Sequence, residues 1–335
     1  MLRLPSDATL APRCRRYADP VTTPSGPLAL AVDLGGTKVE AALVTDEGAL
    51  VPGSRSRRPT GRTATSDQLA AAVTDVVRET HEHLPDGAEL AGVGVGAAGP
   101  IEVAAGRVSP LNLPAWRGYP MRELVANLVP GVPVTLRMDG LCITLAEHWV
   151  GAARGVDDVM GMIVSTGIGG GLVLAGQTVA GPTGNAGHIG HVEVAGFTDR
   201  CACGGTGCVE AVASGPHSVA WAQSQGWSGS TGEELGASFA AGDEIAIAAV
   251  RRAGHAIGHA IASATALVDL DLVAIGGGFS HVAPELFDYI REPIAERTEF
   301  GFVTKVRVVP SALSGDGPLI GAGALVHRAH QVAEV

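Results

Sequence analysis

Apolar residues along this chain come in short runs punctuated by glycine, and the runs change period in a repeating order. "LALAVDLGGTKVEAALVTDEGAL" reads as an apolar strand, a glycine turn, a second strand and a further turn, the pattern of a β-hairpin. "SDQLAAAVTDVVRETHEHL" then switches to helical spacing, with Leu69, Val73, Val76, Val77 and Leu84 on one face and Ser66 as the expected N-cap. "ELAGVGVGAAGP" is a buried strand ending at Pro100. From about residue 134 the order returns: "VPVTLRMDG" is a strand, "LCITLAEHWVGAAR" a helix, and "DVMGMIVSTGIGGGLVLAGQTV" a second strand–glycine turn–strand. A long helical stretch, "DEIAIAAVRRAGHAIGHAIASATALVDL", feeds the strand "LDLVAIGGGF". The repetition predicts two α/β lobes with a ligand cleft between them. The expected division is a lobe over 27–135 and a second over 136–335, with the last helix able to return to the first lobe. Residues 1–26, punctuated by proline, read as a flexible extension.

Composition narrows the function classes. The 335 residues are 46% hydrophobic and 17% charged, enough to build two sizeable cores. The formal charge of −11 and the lack of a basic stripe argue against a nucleic-acid partner. The basic N-terminus has no apolar stretch behind it, so a signal peptide is not expected, and no apolar window is long enough to span a bilayer. The expectation is a cytoplasmic protein without a membrane partner. In that compartment clustered cysteines mean a metal more often than a disulfide.

Three glycine loops follow apolar strands: "DLGGTK" at 33–38, "STGIGGG" at 165–171 and "AIGGGF" at 274–279. Glycine lets backbone N–H groups approach an anion with no Cβ in the way. One such loop is an ordinary tight hairpin. Three, with Asp33 opening the first and hydroxyls at Thr37, Ser165 and Thr166, point to nucleotide phosphates in a cleft. "GVGAAG" at 94–99 satisfies G-x-G-x-x-G, but Pro100 and "IEVAAGRV" follow where that fingerprint needs a helix, so it is set aside. A Walker-type loop is missing from the sequence. The hairpin loops resemble those of the sugar kinase, actin and Hsp70 superfamily, which implies an actin-like ATPase fold.

His191, Cys201, Cys203 and Cys208 form H-x9-C-x-C-x4-C, a closely spaced set that suits tetrahedral Zn²⁺. Four protein ligands leave no open position, which favours a structural zinc. A catalytic zinc would need an open position and a nearby base.

"DLGGTK", "STGIGGG", "GHIGH" and "CACGGTGCVEAVASG", in that order, resemble the ROK family of bacterial sugar kinases and repressors from about residue 28 to the end. The family's repressors carry a winged helix ahead of the first phosphate strand. With 26 residues there, the expectation is the kinase branch. The resemblance implies ATP with Mg²⁺, a hexose or amino-hexose substrate and a homodimer. Asp33 would help hold Mg²⁺, and Gly35, Gly36, Thr37 and Lys38 would run along the phosphates. Thr166, Gly167, Gly169 and Gly170 would form the second phosphate loop, with Gly276, Gly277 and Gly278 bordering the adenosine. Gly99, Met138, Asp139, His188, His191 and Glu210 would face the sugar, Asp139 acting as general base on its 6-hydroxyl. Outside the family context, an Asp opening a helix reads as an N-cap.

Two positions depart from the family's glucokinases. Met138-Asp139-Gly140 stands where they have Asn-Asp-Ala, and His188 where they have Glu. Both line the sugar near C2 and C3, and replacing hydrogen-bonding partners there changes specificity. His188 is similar to the N-acetylmannosamine kinases of the family. A changed C3-reading position fits kanosamine, the substrate of a family kinase in an antibiotic pathway. A modified sugar is therefore expected over glucose. The alternative is a non-catalytic sugar sensor of the same family, although retention of Asp139 argues against it. His255 and His259 share a helix face without a partnering glutamate motif and read as packing or surface residues. Trp116 reads equally as a lid over substrate and as a core residue.

Overall fold

The computed structural model describes residues 26–335, so most of the extension expected over 1–26 lies outside the described residues. The chain opens with β1 (Leu28–Leu34) and β2 (Lys38–Val44), the antiparallel hairpin expected around the first glycine loop. After β3 (Ser56–Pro59) come α1 (Ser66–Glu82), β4 (Leu90–Ala97), the two-residue pair β5 (Ile101–Glu102) and β6 (Arg107–Val108), α2 (Met121–Leu128) and β7 (Val134–Met138). The first sheet has the order β3-β2-β1-β4-β7, with β1, β4 and β7 parallel. A strand pair, not a helix, follows "GVGAAG". Helix α1 is capped one residue earlier than expected. Thr65, not Ser66, accepts the Gln68 N–H, and the Gln68 side chain returns a bond to the Thr65 N–H. That reciprocal pair meets two orphan donors at once, whereas the Ser66 hydroxyl is engaged by the Trp116 indole at 3.1 Å.

The second half continues through α3 (Asp139–Val150), β8 (Val159–Val164), β9 (Ile168–Leu174), β10 (Gln177–Thr178), α4 (Val209–Ala213), α5 (Gly215–Ser224), α6 (Gly232–Ala240) and α7 (Glu244–Val268). β11 (Leu272–Gly276), α8 (Leu286–Ala295), β12 (Arg307–Pro310) and α9 (Gly317–His327) complete it. Its sheet, β10-β9-β8-β11-β12, repeats the order and strand directions of the first: an antiparallel hairpin edge with two parallel strands added. The boundary expected at 135/136 falls inside β7, because β7 is hydrogen-bonded to β4 from Val134 to Met138 and belongs to the first sheet. Helix α9 also joins the first core, with Leu319, Ala322 and Leu325 buried beside β1 and β4. Gly94 on β4 makes this possible, since a Cβ there would overlap the Ala322 backbone. Helix α3 shares that core through Leu141, Cys142 and Leu145 while its Gly140 lies against Gly170 of β9, so it spans both sheets. Among the described residues no helix is long and apolar enough to cross a membrane.

Candidate functional site

A cleft of about 540 Å³ opens where the two glycine hairpins face each other. Asp33, Gly35, Gly36, Thr37 and Lys38 line it from the β1–β2 turn. Thr166, Gly167, Gly169 and Gly170 line it from the β8–β9 turn, and Gly276, Gly277 and Gly278 from the end of β11. Gly99, Met138, Asp139, His188, His191 and Glu210 line it as well. The sheet repeat explains the convergence: equivalent hairpin turns of the two sheets are presented to the same space.

Each turn is fixed by backbone bonds. In the first, the Gly35 N–H donates to Lys38 O at 2.9 Å, and Thr60 secures both sides of the turn through its N–H to Thr37 O and its hydroxyl to Gly35 O. In the second, the Ser165 N–H donates to Gly167 O at 2.9 Å and the Ile168 N–H to Glu210 Oε2 at 2.9 Å. Glu210 therefore braces the loop with one carboxylate oxygen. Gly167 has to be small, because a Cβ there would stand 2.6 Å from Glu210 Oε2.

Asp33 lies near the end of β1 and Asp139 begins α3 directly after β7, so two parallel strands on either side of β4 deliver both carboxyls to the cleft. The Gly140 N–H donates to Asp139 Oδ1 at 2.7 Å. Burial raises the Asp139 pKa, and the Glu210 charge adds to the rise against the Gly140 N–H and His188. Burial and then the Asp139 charge push Asp33 up to about 7. Two carboxyls whose pKa values are both raised by burial, one of them further by the other's charge, are the donor chemistry of a hard dication such as Mg²⁺, whose charge would relieve both.

At the wall, Gly99, Met138 and His188 meet. A Cβ on Gly99 would lie 2.6 Å from His188 Nε2 and 3.3 Å from Met138 Sδ, so a larger residue there would displace the imidazole. His188 Nδ1 lies 2.8 Å from Asn185 O, and the Asn185 amide is bonded to both Ile101 N and Ile101 O. A carbonyl accepts only, so Nδ1 carries a proton, and Nε2 is the ring nitrogen turned towards Gly99.

His191, Cys201, Cys203 and Cys208 offer ligand atoms all within 4.8 Å of one another. The His191 Nδ1–Cys201 Sγ and Cys203 Sγ–Cys208 Sγ separations are both 3.6 Å, close to the about 3.7 Å edge of a tetrahedron with Zn–S bonds of about 2.3 Å. Without a cation, burial and the neighbouring thiols push Cys208 up to about 12, so a dication is what would let the sulfurs act together as thiolates. Cys208 is the N-cap of α4, which carries Glu210, and His191 ends the 3-10 turn Ile189–His191 that follows His188. Holding the four together would set both cleft residues. The three cysteines stand outside the cleft lining, and His191 is the member shared by both groups.

Several lining residues went unread in the sequence: Arg62, Asn112, Ser311, Gly315 and Pro318. Asn112 is reached because Gly36 leaves room for it, a Cβ there lying 2.8 Å from Asn112 Cβ. Their only sequence signal is a place in the loops after β3, β6 and β12, which carries no chemistry until the fold is known. Trp116 is wholly buried and stacks on Tyr119 with ring centroids 3.9 Å apart, which makes it a core residue and not a lid. His255 is bonded to Glu292 at 2.7 Å and does not line the cleft.

Residues 29–329 match the sequence profile of the ROK family. The chain is 31% identical over 317 residues to a glucokinase of Thermotoga maritima, covering 89% of this chain and 96% of that protein. It is 30% identical over 294 residues to an N-acetylmannosamine kinase of Yersinia pseudotuberculosis, covering 88% of this chain and 96% of that one. The crystal structure of a ROK family glucokinase from Streptomyces griseus in complex with glucose and AMPPNP superposes with a TM-score of 0.76 at 28% identity, covering 90% of this chain and 99% of that chain.

Proposed function

Because the chain belongs to the ROK family and has the actin-like ATPase fold of its sugar kinases, we propose that it transfers the γ-phosphoryl group of ATP to the 6-hydroxyl of a hexose or amino-hexose. The observation that carries this reading is the convergence of three glycine turns and Asp139 on one cleft. The turns border the phosphates and adenosine, and Asp139 faces the acceptor sugar between Gly99, His188 and Glu210. Asp139 takes the proton of the attacking hydroxyl, assistance typically worth ~10²–10⁴-fold. Its burial raises its basicity for that step, while the Gly140 N–H holds the carboxylate in place. Magnesium, held by Asp33, would supply the charge neutralisation that phosphoryl transfer needs. Exclusion of water from the reacting atoms falls to the facing hairpins.

Zinc on His191, Cys201, Cys203 and Cys208 is structural in this proposal, since four protein ligands leave no position for a reacting water. Among sugars, the wall of Gly99, Met138 and His188 favours a modified hexose. Met138 offers no strong hydrogen bond to a hydroxyl, and in the neutral form of the ring His188 Nε2 offers an acceptor suited to an N–H or ammonium of an amino sugar such as kanosamine or N-acetylmannosamine.

ADP release with Mg-ATP across glucose, mannose, N-acetylmannosamine, N-acetylglucosamine and kanosamine tests this. An amino sugar with kcat/KM ~10²-fold above glucose, about 2.7 kcal/mol of transition-state discrimination, is expected. Glucose as the best substrate would overturn the specificity reading alone. Sugar binding without turnover of any of them would replace the kinase with a sensor.

A further inference from the structure

Lys38 closes the first glycine turn and lines the cleft, yet its ammonium is bonded to a protein carboxylate, Glu40. Glu40 lies directly across the hairpin from Asp33 and is 1% exposed. It also accepts from Arg55 Nε at 2.9 Å and Arg57 Nε at 2.7 Å. Burial alone would raise its pKa, but the bonds from Arg55, Lys38 and Arg57 hold it down at about 2. Arg55 extends further, with Nη1 donating to Asp316 Oδ1 at 2.7 Å and Nη2 to Gly315 O at 3.3 Å. Gly315, Gly317 and Pro318 also line the cleft, and the start of that segment, Ser311, donates to the buried carboxylate of Glu147 on α3.

One carboxylate with three cationic partners holds more positive charge than its own neutralisation requires. Glu40 stays paired with Arg55 and Arg57 when a stronger anion draws Lys38 away, and until then it keeps a flexible lysine in one orientation. We infer that Glu40 is a positioning residue for the nucleotide: it presents the Lys38 ammonium to the phosphates and, through Arg55, fixes the 315–318 edge of the cleft to the same charge. This rests on reading the cleft as the Mg-ATP site, and it assigns Glu40, Arg55 and Asp316 roles that neither the glycine-loop pattern nor the sugar wall contains.

The test is calorimetric Mg-ATP affinity of the full chain, with sugar KM measured alongside, for Lys38→Met, Glu40→Gln, the double variant and Arg55→Gln. Each single change at Lys38 or Glu40 should weaken Mg-ATP about tenfold and the double variant no more than about twofold beyond K38M, because residues acting through one contact are not additive. Sugar KM should stay unchanged. Glu40→Gln removes a negative charge from beside the cleft, so a bulk electrostatic role would tighten Mg-ATP binding instead, and tightening overturns the inference. Multiplied effects in the double variant also overturn it, while leaving Lys38 as a phosphate contact. Unchanged affinity in K38M overturns the nucleotide reading of the turn itself. Arg55 is half-buried at the surface, so Arg55→Gln covers the case in which Glu40→Gln does not fold. It should weaken Mg-ATP several-fold, and a folded R55Q with unaltered affinity overturns the link to the 315–318 edge.

Discussion

Asp139 shows how one residue serves two roles. It opens α3, yet among the described residues its Oδ1 accepts from the adjacent Gly140 N–H and not from an N–H one turn on, so it leaves acceptor capacity that a full N-cap would have used. Asp139→Asn keeps the shape and removes the base, and it should lower kcat ~10²–10⁴-fold with sugar affinity retained in equilibrium binding. Asp33 gives a pH signature. Its carboxyl, raised from 3.8 to about 7 by burial and Asp139, holds a proton in the folded protein that the unfolded chain has already released. Stability attributable to it therefore falls as pH rises from 3.8 to about 7 and is level above that. Without magnesium, Asp33→Asn should be more stable than the parent at pH 8 by on the order of a few kcal/mol, with the difference gone near pH 4. Urea unfolding at the two pH values checks this, and a parent that matches D33N at both would remove the burial argument.

At the scale of elements, the segment from Asn185 to α4 links the His191, Cys201, Cys203 and Cys208 cluster, proposed to hold zinc, to the cleft. The Gly207 N–H donates to Asp199 O, and Asp199 is salt-bridged to Arg252 of α7 at 2.6 Å, so the loop is anchored to the second core as well as to its own cysteines. Cys203→Ser, at an exposed member of the set, should abolish stoichiometric zinc by elemental analysis and lower the melting temperature, with kcat/KM falling because His188 and Glu210 lose their brace. Full activity in a zinc-free protein would leave the cysteines without that role. Much of this element was legible early. Histidine and cysteine spacing is local, and four soft ligands brought within a short loop have few other stable arrangements. The cap of α1 was less legible, because Thr65 and Ser66 are chemically alike and only the Trp116 indole on the Ser66 hydroxyl separates them.

At the scale of the whole molecule, two sheets of identical strand order meet through α3, while α9 returns from the end of the chain to the first core. The close approach of α9 depends on Gly94, where even one methyl would overlap the Ala322 backbone. Gly94→Ala should therefore destabilise the fold by about 1–3 kcal/mol despite favourable burial, as overpacking does. Chemical denaturation measures it, and a neutral substitution would mean that α9 can shift without loss. The tie from α3 to the cleft edge through Glu147 and Ser311 belongs to this scale as well, since one helix carries Asp139 at its start and Glu147 near its end.

By itself the sequence determined the elements and the chemical types: the hairpins, the glycine turns, the clustering of one histidine with three cysteines, and Asp139 at a strand–helix junction. Those are short-range matters, decided by periodicity and by what a backbone without a Cβ allows. Only the tertiary structure decided that β7 belongs to the first sheet, that α9 closes the first core, that Trp116 is buried, and that Glu40 reaches Asp316 through Arg55. Arg55 and Asp316 are 261 positions apart. Such a pairing is selected by the packing of complete sheets and helices, which no local pattern encodes.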